Sequence, residues 1–155
     1  AAVARVAALD TLSAAQGVAI VRDAVLALRR GKSMVLDPAD PNTRSAGSFF
    51  MNPVLSAAAF ADLEARWRAR GEGGGVIPTY PADGGVKVPA AWLVERAGFP
   101  KGYRQGGAGV STRHALALVN LGGTSAELLA LADAIVAAVE QRFGVRLAYQ
   151  PEVVR

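Results

Sequence analysis

The sequence contains no cysteine and only one histidine, His114, among its 155 residues. Without cysteine the chain can form neither disulfides nor thiolate metal sites. One histidine cannot build a zinc site alone, and no carboxylate spacing in the sequence supplies the missing ligands. We therefore predict no metal site, and any redox chemistry must come from a bound cofactor.

Long apolar runs and clustered basic charge are also missing. No segment reaches the ~18 uncharged apolar residues that a membrane span needs, and Arg5 and Asp10 interrupt the apolar N-terminus, which excludes a signal peptide. Basic residues gather only at 29–30 and 66–70, at the ends of predicted helices, where they complement the helix dipole. We expect no membrane insertion and no nucleic-acid partner, while the net charge of +4 suits an anionic small ligand.

The composition is that of a globular domain, with 52% hydrophobic and 19% charged residues. Two capping boxes, Ser13 with Gln16 and Thr124 with Glu127, predict helices that run to about residues 30 and 143. The first helix carries valines and a leucine on one face, at positions 18, 21, 25 and 28.

Two shorter helices are predicted to begin at Ser56 and Pro89, and residues 37–43 are predicted to form a loop. Short strands are predicted at residues 48–51, 76–80, 115–120 and 145–154. This order of elements predicts a single α+β domain with a largely antiparallel sheet packed with helices.

Two motifs resemble phosphate-binding loops without meeting their requirements. Gly31-Lys32-Ser33 is similar to the end of a triphosphate-binding loop, but the glycine required five residues earlier is Leu26. The glycine-rich run at residues 106–109 does not follow a strand with dinucleotide spacing. These departures exclude a nucleoside triphosphatase and leave no evidence for a Rossmann unit.

The strongest local oddity is the segment around Ser48. On a regular strand Ser48 and Asn52 would share one face, while Phe49 and Met51 would point the other way. A hydroxyl and an amide would then line a surface above an apolar layer. An edge strand with ordinary polar residues is the alternative, and the residues alone favour it. The side chains at positions 32, 87, 114 and 152 likewise have an ordinary structural role as the alternative.

Several segments, taken in order, resemble the UDP-N-acetylenolpyruvoylglucosamine reductase family. The resemblance covers roughly residues 21–155, and its pieces follow the family's order along the chain. The segments that carry it are residues 46–53, 80–81, 86–95, 101–108, 114–120, 143–145 and 151–153.

This resemblance implies an NADPH- and FAD-dependent cytoplasmic oxidoreductase, UDP-N-acetylmuramate dehydrogenase. It reduces UDP-N-acetylglucosamine enolpyruvate to UDP-N-acetylmuramate, a peptidoglycan precursor. Hydride addition leaves an enolate-like charge that needs a proton. By family match Ser48 supplies this proton and Glu152 assists at the same centre. The residues that match the family's sugar-nucleotide ligands are Lys32, Asn52, Tyr80, Lys87, Lys101 and His114.

The resemblance also implies that part of the enzyme lies outside this chain. The family binds flavin chiefly through two N-terminal domains, for which 155 residues leave no room. We therefore expect residues 1–155 to be the C-terminal substrate-binding domain, with about 1–31 as an N-terminal helical segment, and the missing initiator methionine fits a piece of a longer protein. The expected partners are a UDP-sugar and the enzyme's own flavin-binding domains. FAD and NADPH are not expected to bind tightly to the isolated chain, which should be inactive.

Two features depart from the family pattern. Met51 stands where Lys or Thr is common, and no tyrosine lies near Val3 or Val6, where many members carry one in a substrate-gating loop. A stand-alone sugar-nucleotide-binding module without catalysis is the alternative function.

Overall fold

The computed structural model describes residues 13–71 and 75–153, where helices alternate with short strands. Of the helical segment expected over about residues 1–31, the first twelve residues lie outside these ranges. None of the described helices is long and apolar enough to span a membrane. The four described α-helices are α1 (Ala14–Gly31), α2 (Ala57–Ala69), α3 (Ala90–Arg96) and α4 (Ser125–Phe143).

The ends of α1 and α4 carry the polar caps that the sequence predicts. The Ser13 hydroxyl accepts a hydrogen bond from the Gln16 N–H, and the Gln16 side chain accepts one from the Ser13 N–H. Thr124 and Glu127 form the same reciprocal pair at the start of α4. Gly144 ends α4 with a φ of 69°, a left-handed conformation that a residue without Cβ adopts at little cost. These boundaries are confirmed.

Seven short strands lie in the described ranges. They are β1 (Ser45–Ser48), β2 (Val54–Leu55), β3 (Tyr80–Ala82), β4 (Gly85–Lys87), β5 (Arg104–Gln105), β6 (Ala108–Val110) and β7 (Ala117–Asn120). One sheet has the strand order β1-β7-β6-β5 and the other has the order β2-β4-β3, and every pair is antiparallel. The predicted α+β class with antiparallel sheets is confirmed.

The core lies where α4 packs against α2, α3 and the four-stranded sheet. Leu131 and Ile135 of α4 are completely buried. Trp67 of α2, Trp92 of α3 and Phe143 of α4 form an aromatic cluster with ring centroids 5.0 to 6.2 Å apart. Full burial of a large apolar side chain contributes roughly 1.5–3 kcal/mol. Trp67 and Phe143 are buried and Trp92 is partly buried, so this junction holds the three helices together.

The strand predicted at residues 48–51 is wrong. β1 ends at Ser48, after a bulge that shifts its register against β7. Phe49 and Phe50 are both buried, at 4% and 1% exposure, while Met51 is 55% exposed. Two consecutive buried side chains break the alternation that a regular strand requires, so Ser48 and Asn52 do not share a strand face.

Two other strand predictions also differ from the structure. The strand predicted at 76–80 begins only at Tyr80 and runs to Ala82. The described part of the tail predicted as a strand at 145–154 makes a single bridge, between Phe50 and Tyr149.

Helix α1 buries far less of its surface than α4 does. Ala24 is its one buried residue. The apolar face predicted from the sequence is open, with Val18, Val21, Val25 and Leu28 exposed by 69%, 40%, 46% and 58%. We call these four residues the α1 stripe. Most helical stability in proteins comes from packing such a face against a partner. The α1 stripe has no such partner among the described residues.

Candidate substrate site

Ser48 lies at the end of β1, where the chain leaves the four-stranded sheet. It pairs with Ala117 of β7, and the next residue, Phe49, donates its N–H to the Leu116 carbonyl at 2.8 Å. The rings of Phe49 and Phe50 meet edge-on with centroids 5.5 Å apart, which anchors the backbone beside Ser48. Ser48 is half-buried, and its hydroxyl has no hydrogen-bond partner among the described residues. This hydroxyl is therefore available to a ligand.

The C-terminal segment runs antiparallel to the chain that follows Ser48. The Gln150 N–H donates to the Phe49 carbonyl at 2.9 Å. Continued by two residues, this register would place Glu152 opposite Gly47, the neighbour of Ser48. Glu152 is exposed. The described pairing of this segment is the bridge between Phe50 and Tyr149, so a shared centre for Ser48 and Glu152 stays a prediction.

His114 lies three residues before the partner of Ser48 and feels the charges of two lysines. Its Nδ1 accepts the Leu116 N–H at 3.0 Å, so the neutral ring carries its proton on Nε2. Burial lowers the pKa of His114 below its ordinary value of 6.5, and the charges of Lys32 and Lys101 lower it further. Lys32 and Lys101 therefore lie close enough to act on a neutral His114, whose loop leads into the strand that pairs with Ser48.

A second group lies on the three-stranded sheet. Lys87 of β4 pairs with Val54 on one side and with Tyr80 on the other, and directly paired residues share a sheet face. Tyr80 is 60% exposed. Asn52 precedes this sheet, and its Oδ1 accepts the Ala90 N–H at 2.8 Å, at the first residue of α3. The Asn52 amide therefore has a structural role, with its NH₂ left for a ligand.

The two groups are joined by a short stretch of chain. Asn52 lies four positions after Ser48, so their Cα atoms are at most about 14 Å apart. The ion pairs of the described ranges are made by arginines, and none involves Lys32, Lys87 or Lys101. Three ammonium groups without a described carboxylate partner suit an anionic ligand.

A cleft of about 610 Å³ opens beside the first group. Ser33, the neighbour of Lys32, and Arg113, the neighbour of His114, both line it, but none of the eight predicted site residues does. Among the described residues no cluster of three or more acidic or histidine side chains could hold a metal ion.

Sequence reasoning missed a set of hydrogen bonds behind the first group. The sequence predicts residues 37–43 only as a loop, but Asp40 caps a 3-10 turn at Pro41–Thr43. Asn42 in this turn accepts hydrogen bonds from Ser111 and Thr112. The turn itself was marked by its Asp and Pro residues, whereas nothing local marks a contact 69 residues away.

Residues 38–154 match the domain family described as UDP-N-acetylenolpyruvoylglucosamine reductase, C-terminal domain. The chain belongs to the UDP-N-acetylenolpyruvoylglucosamine reductase family. The resemblance seen in the sequence is thereby confirmed, and the matched range includes every predicted site residue except Lys32.

Curated reductases of this name agree with the domain match. The chain is 59% identical to the Thermobifida fusca protein over 137 residues, which cover 86% of the chain and 38% of that protein. Identity to the Streptomyces avermitilis protein is 51% over 138 residues, 88% of the chain and 38% of the relative. Identity to the Mycobacterium tuberculosis protein is 49% over 138 residues, 86% of the chain and 37% of the relative. The chain thus spans less than two fifths of the length of these reductases.

The alignments also include helix α1. Since 88% of 155 residues is about 136 residues, the Streptomyces avermitilis alignment begins at residue 20 or earlier. The C-terminal domain match begins only at residue 38. Most of α1 is therefore shared with the reductases although it precedes their C-terminal domain.

Proposed function

We propose that this chain holds UDP-N-acetylglucosamine enolpyruvate while the complete reductase converts it to UDP-N-acetylmuramate in the cytoplasm, as a step of peptidoglycan synthesis. One observation carries the proposal. Ser48 is half-buried and pairs with β7, the strand that His114 precedes, and the charges of Lys32 and Lys101 act on that histidine. A serine that can donate a proton and lysines that act on a neighbouring segment would suit the reduction of an anionic enol ether.

The chemistry assigned to Ser48 is delivery of a proton. Flavin, when bound by the complete reductase, supplies hydride to one carbon of the enolpyruvyl double bond. The other carbon then takes the proton from the Ser48 hydroxyl as the O–H bond breaks and a C–H bond forms, and water reprotonates the alkoxide. A serine hydroxyl is a weak acid, so its alkoxide needs nearby positive charge. Glu152 assists at this centre.

The lysines supply charge for the diphosphate of the substrate. The charges of Lys32 and Lys101 act on His114, and Lys87 lies with Tyr80 on the three-stranded sheet. Lysine binds phosphate as a compact point charge. A neutral His114 carries its proton on Nε2 and can donate this N–H to the substrate as a hydrogen bond, without transferring the proton. We therefore assign the diphosphate to the lysines and sugar contacts to Asn52 and Tyr80.

The glycine-rich run at residues 106–109 does not offer flavin a phosphate site. It forms the β5–β6 hairpin, and a Cβ on Gly107 would come within 2.3 Å of the Gly123 Cα. Two backbones this close leave no space for a phosphate between them. We therefore assign flavin and NADPH binding to parts of the reductase outside this chain, and we expect the isolated chain to be inactive.

The exposed stripe of helix α1 offers a surface for a second partner besides the substrate. Its stripe is exposed here, and the same helix is shared with reductases more than twice as long as this chain. We assign the α1 stripe to contact with the flavin-binding remainder of the reductase.

The decisive experiment is Ser48→Ala in the complete reductase. NADPH should reduce the flavin at the wild-type rate, whereas reoxidation of the flavin by substrate should slow by roughly 10²- to 10⁴-fold, the usual contribution of a general acid. Ser125→Ala, an exposed serine at the start of α4, is the control and should leave both half-reactions unchanged. Normal reoxidation in Ser48→Ala would sink the assignment.

A stand-alone sugar-nucleotide-binding module is the second candidate, because the three lysines all belong to this chain. Calorimetry on the isolated chain with a UDP-sugar, against the same sugar without UDP, separates the two. Tight binding by the chain alone would favour the module, and weak binding would favour a domain that needs the rest of the reductase.

A further inference from the structure

Lys32 is followed by the one non-glycine residue in the described ranges with a left-handed backbone. Ser33 has a φ of 54° and is only 4% exposed. A residue with a side chain pays roughly 1–2 kcal/mol for this conformation. Such a conformation persists only when surrounding contacts hold it, so the contacts of Ser33 determine how the chain leaves α1 at Lys32.

The side chain of Ser33 is held by a carboxylate. Its hydroxyl donates to Oδ2 of Asp40 at 2.6 Å, and the other carboxylate oxygen accepts the backbone N–H and the side-chain NH₂ of Asn42 at 2.9 and 2.8 Å. The Ser33 hydroxyl, followed by the donors of Asn42, lowers the pKa of Asp40. Asp40 is therefore ionised at neutral pH and can accept all three hydrogen bonds.

Asn42 carries the connection to the loop of His114. Its Oδ1 accepts three hydrogen bonds, from the Ser111 hydroxyl at 3.1 Å and from the N–H and hydroxyl of Thr112 at 2.9 and 3.1 Å. Ser111 is completely buried, and its hydroxyl also accepts the Arg113 N–H. The residue after Arg113 is His114. A continuous set of hydrogen bonds thus runs from the neighbour of Lys32 to the neighbour of His114.

Apolar packing does not fix the position of Lys32. Lys32 caps the C-terminus of α1, and α1 buries only Ala24 in the described structure. The position of Lys32 relative to His114 therefore depends on the polar contacts of the loop that follows.

We infer that Ser33, Asp40 and Asn42, which we call the Ser33 network, are positioning residues that hold Lys32 against the His114 loop and so assemble the cationic part of the substrate site. The use of this arrangement in substrate binding rests on the proposed function, whereas the placement of Lys32 by the Ser33 network does not. The network connects two chain segments about 70 residues apart in sequence, so one broken hydrogen bond should release Lys32 without unfolding the core.

The single histidine makes this inference measurable on the 155-residue chain. We propose NMR titration of His114 in the wild type and in Ser33→Ala, with dispersed methyl signals as the check that each variant is folded. The wild type should titrate below 6.5. In Ser33→Ala the pKa of His114 should move toward 6.5, because Lys32 is no longer held beside it, whereas Lys101 stays.

Two further variants separate the hydrogen bond from the backbone strain. Ser33→Gly removes the hydroxyl but relieves the left-handed conformation, and it should shift the pKa of His114 in the same direction as Ser33→Ala. Lys32→Met removes the charge itself, so Ser33→Ala should have no further effect in that background. Asp40→Asn provides an independent break in the network if Ser33→Ala does not fold.

The expected result is a shift that disappears in the Lys32→Met background. An unchanged His114 pKa in a folded Ser33→Ala chain would overturn the inference, as would an equal shift with and without Lys32. In the complete reductase, Ser33→Ala should raise KM for the substrate several-fold with flavin reduction by NADPH unchanged. A shifted pKa with unaltered KM would leave the positioning intact and count against the proposed function alone.

Discussion

Replacing Asn52 with alanine should destabilise the isolated chain, independently of any role in substrate binding. Asn52 lies 38 residues before its hydrogen-bond partner, the Ala90 N–H at the start of α3. The residue at the N-cap position of α3 is Pro89, which makes no side-chain capping hydrogen bond. Asn52 supplies from a distant part of the chain an acceptor for the first N–H of α3, in addition to what an N-cap side chain offers the second or third.

The structure sets the size of the expected effect. Ala90 is completely buried, so its N–H cannot easily turn to bulk water once the Asn52 oxygen is lost. Loss of a helix cap or of the partner of a buried donor costs about 1–2 kcal/mol. For a domain of this size 1 kcal/mol corresponds to a change of about 2–4 °C in Tm. We expect Asn52→Ala to lower Tm by about 2 to 8 °C.

Thermal unfolding of the 155-residue chain followed by circular dichroism measures this change. Asn52→Asp is the matched variant, because it keeps an acceptor oxygen and places a negative charge near a helix N-terminus, where it is favourable. Its Tm should stay near the wild-type value, although its charge should weaken binding of an anionic UDP-sugar. A wild-type Tm for Asn52→Ala would refute the capping role.

Two further predictions concern stability. A Cβ at Gly85 would lie 2.1 Å from the Leu55 carbonyl oxygen, so Gly85→Ala should lower the free energy of unfolding in urea by about 1–3 kcal/mol. A Cβ at Gly31 would meet open space on a helical backbone, so Gly31→Ala should be neutral or stabilising by up to about 1 kcal/mol. Equal effects of the two substitutions would contradict this reasoning. The folded pKa of His114 lies below its unfolded value, so its neutral form favours the fold, and the free energy of unfolding should be highest above about pH 6.5 and fall as the pH drops through the folded pKa. His114→Gln should flatten this part of the pH dependence, and an unchanged slope would assign it to other groups.

Helix boundaries could be predicted from the sequence because their signals are local. The Ser13 and Thr124 capping boxes each involve residues three apart, and both form as predicted. Strand boundaries depend on partners distant in sequence. Nothing near Ser48 marks the bulge against Ala117 or the burial of two consecutive phenylalanines.

The candidate site divides in the same way. Its residue types came from a resemblance to a family, and the structure adds which of them lie together. The role of Asn52 as a cap depends on Ala90, and that of Asn42 depends on Ser111. The first contact joins residues that are 38 positions apart, and the second joins residues that are 69 positions apart. Such contacts are set by tertiary packing, which a single sequence does not reveal.

The aromatic junction of the three core helices decides which optical signals can follow this protein. The chain has two tryptophans, and both lie there, Trp67 against Trp92 with centroids 5.0 Å apart. Tryptophan fluorescence therefore reports the integrity of the core and carries no direct contribution from the edge of the sheet where Ser48 lies. A ligand that fills the proposed site should leave the tryptophan emission unchanged, so its binding must be followed by heat, by a labelled ligand or by the resonance of His114.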